Sequence, residues 1–220
     1  AGGSEQYVSR LGHALRKQGV DIRLGTPVEA VRRGPGHVDV KTPGADWARF
    51  DDVVFATHSD DSLRLLADPT PIEARALGAV GYQPNRVVLH ADAAIMPKRK
   101  LVWSSWNYTE APGKVMNQID LTYWMNCLQP IPKDDPLFVT LNSTRPIRED
   151  LIHDQTTLHH PVYTVDAWRA QKDLAARNGT KNTWFCGAWM KNGFHEDGLG
   201  SAVDVADAIT ARDSAAMAAQ

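Results

Sequence analysis

Several features that often reveal a protein's class are scarce in this 220-residue sequence. It has only two cysteines, Cys127 and Cys186, far apart in apolar surroundings, which argues against a disulfide framework and favours a reducing, cytoplasmic setting. No apolar run approaches the roughly 20 residues that a membrane-spanning helix needs. The formal net charge is only −2 and the basic residues are scattered, so no nucleic-acid partner is expected.

The common catalytic and nucleotide-binding motifs are also missing. The chain has no G-x-S-x-G nucleophile elbow, no P-loop and no G-x-G-x-x-G turn. The segment GPGHVD at 34–39 lacks the third glycine and a following helix, and RGPG predicts a hairpin turn instead. The eight histidines include no pair at the i, i+4 spacing of a helical zinc site, and chance explains their acidic neighbours, so no metal site is predicted.

Hydrophobic periodicity predicts three regions that differ in secondary-structure content. The first and last are mixed α/β, and the middle one, from Tyr82 to Leu141, consists of β-rich segments separated by Pro- and Gly-containing loops. Helices are predicted at 4–18, 59–67, 72–80, 165–177 and 198–212. Short strands are predicted within 20–42, at DDVVFAT (51–57), at NTWFCG (182–187), and at NRVVLHAD, KLVWSSWNY, GKVMNQIDLTYWMN and LFVTLN in the middle region.

This order predicts one domain that is interrupted by another. The expected boundaries are 1–68 and 181–220 for the outer domain and 69–180 for an inserted antiparallel sheet with helices. Residues 1–60 and 181–212 should then pack together as one unit.

The stretch WFCGAWMKNGFHEDGLGSAVDVADAI, residues 184–209, carries the most specific signal. A hydrophobic strand ends at Gly187, and a loop then leads through Asp197 and Gly198 into a helix. Asp197 could accept hydrogen bonds from N–H groups of the first helical turn, and both glycines would let a ligand approach the backbone. By physical reasoning alone, a simple helix cap and a ligand site at a helix N-terminus are both open.

The aromatic residues of the middle region allow two interpretations. They alternate on predicted strands, so they could fill the core of a sheet, or some could form the walls of an apolar substrate pocket. These residues are Trp103, Trp106, Tyr108, Tyr123 and Trp124.

Three segments resemble the flavin-containing amine oxidase family, in the family's order. They are AGGSEQYVSRLGHALRKQGVDIRLGTPVEAVRR, DDVVFATHSDDSLRLL and TWFCGAWMKNGFHEDGLGSAVDVADAI. The middle segment PNRVVLHADAAIMPKRKLVWSSWNY is most similar to a bacterial branch of predicted FAD-binding oxidoreductases. The resemblance implies a fold class of α/β plus antiparallel β: the C-terminal part of a two-domain FAD-binding fold, with an FAD-domain remnant interrupted by a substrate domain.

The resemblance also implies roles in binding FAD. Val28 matches a valine whose backbone contacts the adenine, and Gly187 matches the glycine that ends the strand. Asp197, Gly198 and Leu199 match the helix N-terminus that faces the flavin pyrimidine, where negative charge develops on reduction.

The loop between the strand and the helix is expected to border the isoalloxazine ring through Trp189, Phe194 and His195. His195 could move a proton or make only a structural hydrogen bond, and no catalytic residue is assigned. Ala188 stands where many members carry an acidic residue that binds the ribityl–pyrophosphate portion.

The family opens with a strand–G-x-G-x-x-G–helix unit that holds the pyrophosphate. Because this sequence has no such unit, we expect it to be a fragment whose partner is the missing N-terminal FAD-binding portion, and FAD could be absent from the fragment alone. The implied activity is FAD-dependent oxidation or desaturation of a small-molecule substrate, either an amine or a hydrophobic fatty-acyl or isoprenoid compound, with the tryptophans favouring the latter. The alternative is a non-catalytic lipid- or partner-binding module without flavin.

Overall fold

The computed structural model of the chain describes residues 3–110 and 119–218. Six α-helices are described: α1 (Ser4–Lys17), α2 (Ser59–Leu65), α3 (Pro71–Gly78), α4 (Met125–Leu128), α5 (Val165–Ala175) and α6 (His195–Ala218). Ten strands are described: β1 (Ala30–Gly34), β2 (His37–Lys41), β3 (Ala48–Phe50), β4 (Val53–Phe55), β5 (Gly81–His90), β6 (Trp106–Thr109), β7 (Asp120–Trp124), β8 (Phe138–Leu141), β9 (Ile152–Val162) and β10 (Thr183–Phe185). The model is therefore a mixed helix and antiparallel-sheet protein, as predicted.

The chain divides into two compact units whose boundaries differ from the expected ones. The first, here called the sheet unit, comprises Ala1–Ile22 and Pro84–His160, and the second, the α/β unit, comprises Arg23–Gln83 and Pro161–Gln220. Helix α1 thus groups with the antiparallel sheet, whereas α3 and α5 group with the segments around β4 and β10. Arg23–Gln83 and Pro161–Gln220 thus lie in the same compact unit, whereas residues 1–22 lie in the other.

The sheet unit contains five strands in the order β6-β7-β8-β5-β9. The central strands bury polar as well as apolar side chains: the ring of His90 on β5 is fully buried, and its Nε2 lies 2.7 Å from the Thr140 hydroxyl on β8. Thr140 in turn lies 2.9 Å from the Thr122 hydroxyl on β7. Because buried polar groups need partners, this chain of hydrogen bonds ties three neighbouring strands in one register.

Two elements of the sheet unit differ from the sequence prediction. Helix α1 begins and ends close to the predicted bounds, but none of its residues is buried, so its apolar side chains Tyr7 and Val8 remain exposed. Strand β9 was not predicted, because its sequence IHDQTTLHHPV is mainly polar and largely exposed and lies at the edge of the sheet, where burial imposes no strict alternation. Residues 113–118 of the predicted strand GKVMNQIDLTYWMN lie outside the described residues.

The aromatic side chains of the sheet unit differ in how deeply they are buried. The ring of Trp103 packs edge-on against Trp124 and Phe138, so it belongs to the sheet's packing. Trp106 and Tyr108 are 41% and 64% exposed, and these two contribute less to the core.

The α/β unit combines an antiparallel meander with a parallel pair of strands. β1, β2 and β3 pair in sequence order, and the predicted RGPG turn joins β1 to β2 with Gly34 opposite His37. β4 and β10 pair in parallel although about 130 residues separate them in the sequence. Helices α2, α3 and α5 enclose the main core, which includes the buried side chains Val31, Phe55, Leu77, Leu174, Phe185 and Trp189.

A buried ion pair fixes the meander to helix α3. The Arg33 side chain on β1 is 1% exposed and donates from Nη1 to Glu73 Oε1 at 2.7 Å and from Nη2 to Glu73 Oε2 at 3.1 Å. Glu73 also accepts from the Thr70 backbone N–H at 2.7 Å, which completes a capping box at the start of α3. Burial opposes the ionisation of Glu73, but the hydrogen bonds from Arg33 and Thr70 outweigh it and lower the pKa of its carboxyl group.

Candidate functional site

The candidate site lies in the α/β unit, where the parallel strands β4 and β10 end. Phe55 and Phe185 are register partners at these ends, and the Cys186 N–H donates to the Phe55 carbonyl at 3.0 Å. The segments that follow the two strands are also joined, because Trp189 Nε1 donates to the Thr57 carbonyl at 2.9 Å. In α/β folds the carboxyl ends of parallel strands are where ligands most often bind.

Gly187, the glycine that ends β10, has a conformation that only glycine adopts easily. Its φ is 142° and its ψ is 164°. A Cβ atom there would lie 2.9 Å from Trp189 Nε1, so the indole ring already occupies the space beside the glycine. Gly187 is therefore required by the fold itself, through its close approach to Trp189.

Trp189 serves the core of the α/β unit. It is only 3% exposed and packs in the main hydrophobic cluster, while its one N–H donor is used by Thr57. The ring holds the segments that follow β4 and β10 together, and the contact with a cofactor that the family resemblance implies for Trp189 stays a prediction.

Helix α6 begins at His195, three residues earlier than predicted. Asp197 Oδ2 accepts from the Phe194 backbone N–H at 3.0 Å, so this carboxylate reaches back to the residue before the helix. The Gly198 N–H is the first to bond within the helix, to the Phe194 carbonyl at 3.1 Å. By helical geometry, the N–H groups of residues 195–197 have no partner inside the helix and point outward from its first turn.

Gly198 lies on this first turn and faces Ala188. A Cβ atom at Gly198 would sit 3.6 Å from the Ala188 nitrogen and 3.8 Å from its Cβ, which is ordinary contact. The small side chain at position 188 lets the helix start approach the end of β10 closely. Unlike Gly187, Gly198 has no steric reason within the described chain to be a glycine.

Ser201, one turn further along α6, connects the helix to the strand end. The Gly187 N–H donates to Ser201 Oγ at 2.8 Å, and the same oxygen lies 2.8 Å from the Gly198 carbonyl and 3.1 Å from that of Gly187. Ser201 is buried, and the sequence analysis did not single it out. The signal that could have indicated it is the run of small residues GLGSA, which allows a helix start to pack closely against a strand end.

The Tyr163 ring lies against the loop that joins β10 to α6. A Cβ atom at Gly193, where φ is 95°, would lie 2.6 Å from the Tyr163 hydroxyl oxygen, so the loop passes directly over this ring. Burial raises the pKa of Tyr163 to about 12, with a smaller contribution from the negative charge of Asp197. Tyr163 is therefore neutral and can act only as a hydrogen-bonding phenol at physiological pH.

The other predicted residues lie on exposed surface of the α/β unit. Phe194 and Leu199 are 55% and 56% exposed on either side of the helix start, and His195 is exposed as well. Val28 is 36% exposed in the segment that precedes β1. It belongs to the same compact unit as Gly187, which the cofactor hypothesis requires.

One group of possible metal ligands occurs among residues 3–110 and 119–218. His58, Asp60 and Asp61 have ligand atoms within 4.8 Å of one another at the start of α2. The His58 ring is stacked on Tyr82 at 4.3 Å, and the Tyr82 hydroxyl accepts from the Ser59 N–H. These contacts explain the position of His58 without a metal ion.

The start of α6 could contact a ligand that carries an electron-rich group. The first turn of α6 offers several N–H dipoles, and Phe194 and Leu199 offer apolar contact next to it. The residues described around this turn supply hydrogen bonds and positive backbone dipoles. The chemistry of any reaction there would therefore come mainly from a bound cofactor.

Comparison with known proteins adds to this geometry. Residues 1–210 match the family model of the flavin-containing amine oxidoreductases. A putrescine oxidase variant shares the fold with a TM-score of 0.64 and 13% identity over 95% of this chain and 53% of its own. A candidate protoporphyrinogen oxidase from Exiguobacterium sp. 255-15 has a TM-score of 0.61 and 15% identity over 93% of this chain and 50% of its own. No curated protein sequence matches the chain.

A fatty acid isomerase from P. acnes that produces CLA is similar as well. Its TM-score is 0.54, with 15% identity over 84% of this chain and 47% of its own. The chain thus spans about half the length of the solved structures that it resembles. Across the described residues, no helix is long and apolar enough to cross a membrane.

Proposed function

The chain belongs to the flavin-containing amine oxidoreductase family, and from this premise we propose that it is part of an FAD-dependent oxidoreductase. The proposed reaction is the oxidation or desaturation of an amine or a hydrophobic substrate, with FAD as the hydride acceptor. The observation that carries the proposal is the first turn of α6, whose outward N–H groups stand beside the uncrowded Gly198.

The proposed role of the first turn is electrostatic. Reduction of a flavin places negative charge at its pyrimidine edge, and preorganised N–H dipoles stabilise such charge. The carboxylate of Asp197 is turned toward the Phe194 N–H, which leaves the backbone donors of residues 195–197 to face the ligand. Gly198 would let the helix start pack closely against Ala188 and would keep the first turn free of a side chain that a ring would have to pass.

Other residues would shape the site. Phe194, His195 and Leu199 are exposed around the helix start and would contact the ring system, and Ala188 would leave space for the ribityl chain. Val28, through its backbone, would contact the adenine. Gly187 and Trp189 would act indirectly by holding the ends of β4 and β10 in place.

In this proposal the pyrophosphate of FAD needs a separate binding site. A G-x-G-x-x-G turn at a helix N-terminus commonly binds it, and the sequence contains none. We therefore propose that the 220 residues alone retain little or no FAD, and that a segment carrying such a turn completes the site.

The substrate class stays open between amines and hydrophobic compounds. The solved structures with this fold include a putrescine oxidase and a fatty acid isomerase, one for each class. The tryptophan-rich middle region of the sequence favours a hydrophobic substrate.

A comparison of two purified proteins tests the proposal. The chain alone should be nearly colourless, whereas a version extended N-terminally by a G-x-G-x-x-G unit should show a flavin absorption spectrum. In the extended protein, Gly198→Val should weaken flavin binding by about 2–4 kcal/mol, comparable to the loss of one oxyanion-hole donor. His159→Ala, on the exposed strand β9, is the control and should leave flavin content unchanged.

Two results would overturn the proposal. An extended protein without flavin would favour the non-catalytic binding module instead. Normal flavin content in Gly198→Val, with its melting temperature unchanged, would show that the helix start does not contact the cofactor.

A further inference from the structure

The loop between β5 and β6 of the sheet unit carries three consecutive cationic residues followed by two apolar ones. We call Lys98, Arg99, Lys100, Leu101 and Val102 the basic loop. All five are exposed; Leu101 is 100% exposed and Val102 58%. We propose that the basic loop binds the surface of an anionic lipid bilayer.

The basic loop is a structured projection whose two ends are anchored. Before it, Ile95 and Met96 are each 3% exposed. After it, Trp103 Nε1 donates to the Pro97 carbonyl at 2.7 Å, and the Trp103 ring packs on Phe138. The exposure of the tip is therefore a consequence of a defined fold.

The charges of the basic loop are available to a partner. Among the residues that the structure describes, no carboxylate forms an ion pair with Lys98, Arg99 or Lys100; the Lys100 ammonium lies 5.7 Å from the centre of the Trp103 ring. The chain as a whole has a net charge of −2, so any attraction to an anionic surface must come from a local cluster.

The combination of side chains points to lipid rather than to nucleic acid. Lysine and arginine next to an anionic bilayer each gain electrostatic free energy, while neighbouring aliphatic side chains enter the boundary between headgroups and acyl chains. Sites for single-stranded nucleic acid add aromatic side chains that stack on bases, and a duplex contacts cations alone, whereas the tip of the basic loop adds two exposed aliphatic side chains. A fully exposed leucine beside three cations therefore fits a bilayer surface best.

Vesicle sedimentation of the whole 220-residue chain tests this inference, which does not depend on flavin. Vesicles of phosphatidylcholine mixed with phosphatidylserine should bind the chain, and vesicles of phosphatidylcholine alone should bind it far less. The triple variant Lys98→Gln, Arg99→Gln, Lys100→Gln should lower the partition coefficient on the order of 100-fold, which is about fivefold for each charge. Leu101→Ser should lower it by about tenfold.

A matched control removes the same charge elsewhere. The variant Lys133→Gln, Lys172→Gln, Lys181→Gln changes three other exposed lysines and should bind the mixed vesicles nearly as well as the original chain. Melting temperatures verify that all variants fold. The inference is overturned if the chain binds both kinds of vesicle equally, or if the two triple variants lose binding to the same extent. It is also overturned if the basic loop binds short double-stranded DNA, tested as an alternative ligand, and does not bind the mixed vesicles.

Discussion

Two glycines of the candidate site should respond to alanine in opposite ways. Gly187 has a φ of 142°, and an added Cβ would lie 2.9 Å from Trp189 Nε1. The backbone strain costs about 1–3 kcal/mol. Displacement of Trp189 adds about 1 kcal/mol for its hydrogen bond to Thr57 and about 1–2 kcal/mol for lost burial.

We therefore expect Gly187→Ala to destabilise the α/β unit by about 3–6 kcal/mol. For a chain of this size the melting temperature should fall by about 10 °C, which calorimetry or circular dichroism can measure. The tryptophan fluorescence spectrum should change to that of a more solvent-exposed ring, since Trp189 would leave the core.

Gly198→Ala is the internal control. Its Cβ would make ordinary contact with Ala188 at a helical position, so the change should be neutral or stabilise by up to about 1 kcal/mol. The reasoning is refuted if both variants melt at the same temperature, or if Gly187→Ala is neutral and keeps Trp189 buried.

Two further predictions concern stability. Glu73→Gln removes one of the two carboxylates that pair with the buried guanidinium of Arg33 and leaves only the partly exposed Asp68, so it should cost about 1–3 kcal/mol in urea unfolding. Asp61→Asn removes an exposed pair with Arg64 and should cost less than about 1 kcal/mol; equal effects would contradict the buried-pair argument. Burial lowers the pKa of His90 below its ordinary value of 6.5, and its Nδ1 accepts from the Asp92 N–H, so the folded state holds the neutral ring while the unfolded state takes up a proton. The contribution of the neutral His90 ring to the free energy of unfolding should therefore be complete above pH 6.5 and should decrease as the pH falls below that value. Denaturant titration at several pH values measures this dependence, which should be weaker in His90→Gln than in the original chain.

The sequence alone determined most of the local elements. Strong periodicity and turn residues predicted α1, α5 and the hairpin between β1 and β2, because these depend on short-range spacing and on the φ preferences of glycine and proline. The motif from Trp184 to Ile209 was predicted as strand, loop and helix, and the structure has those elements in that order. Family membership was also predicted from sequence segments and is confirmed by the family match.

The tertiary structure decided what each residue of the site does. No local pattern distinguishes Gly187 from Gly198, since their roles depend on whether Trp189 or only Ala188 lies beside them. The role of Ser201 likewise exists only once α6 packs against the end of β10. Contacts between segments that are distant in sequence, such as β4 with β10, fix these neighbours, and they follow from packing of the whole α/β unit rather than from the propensity of any one segment.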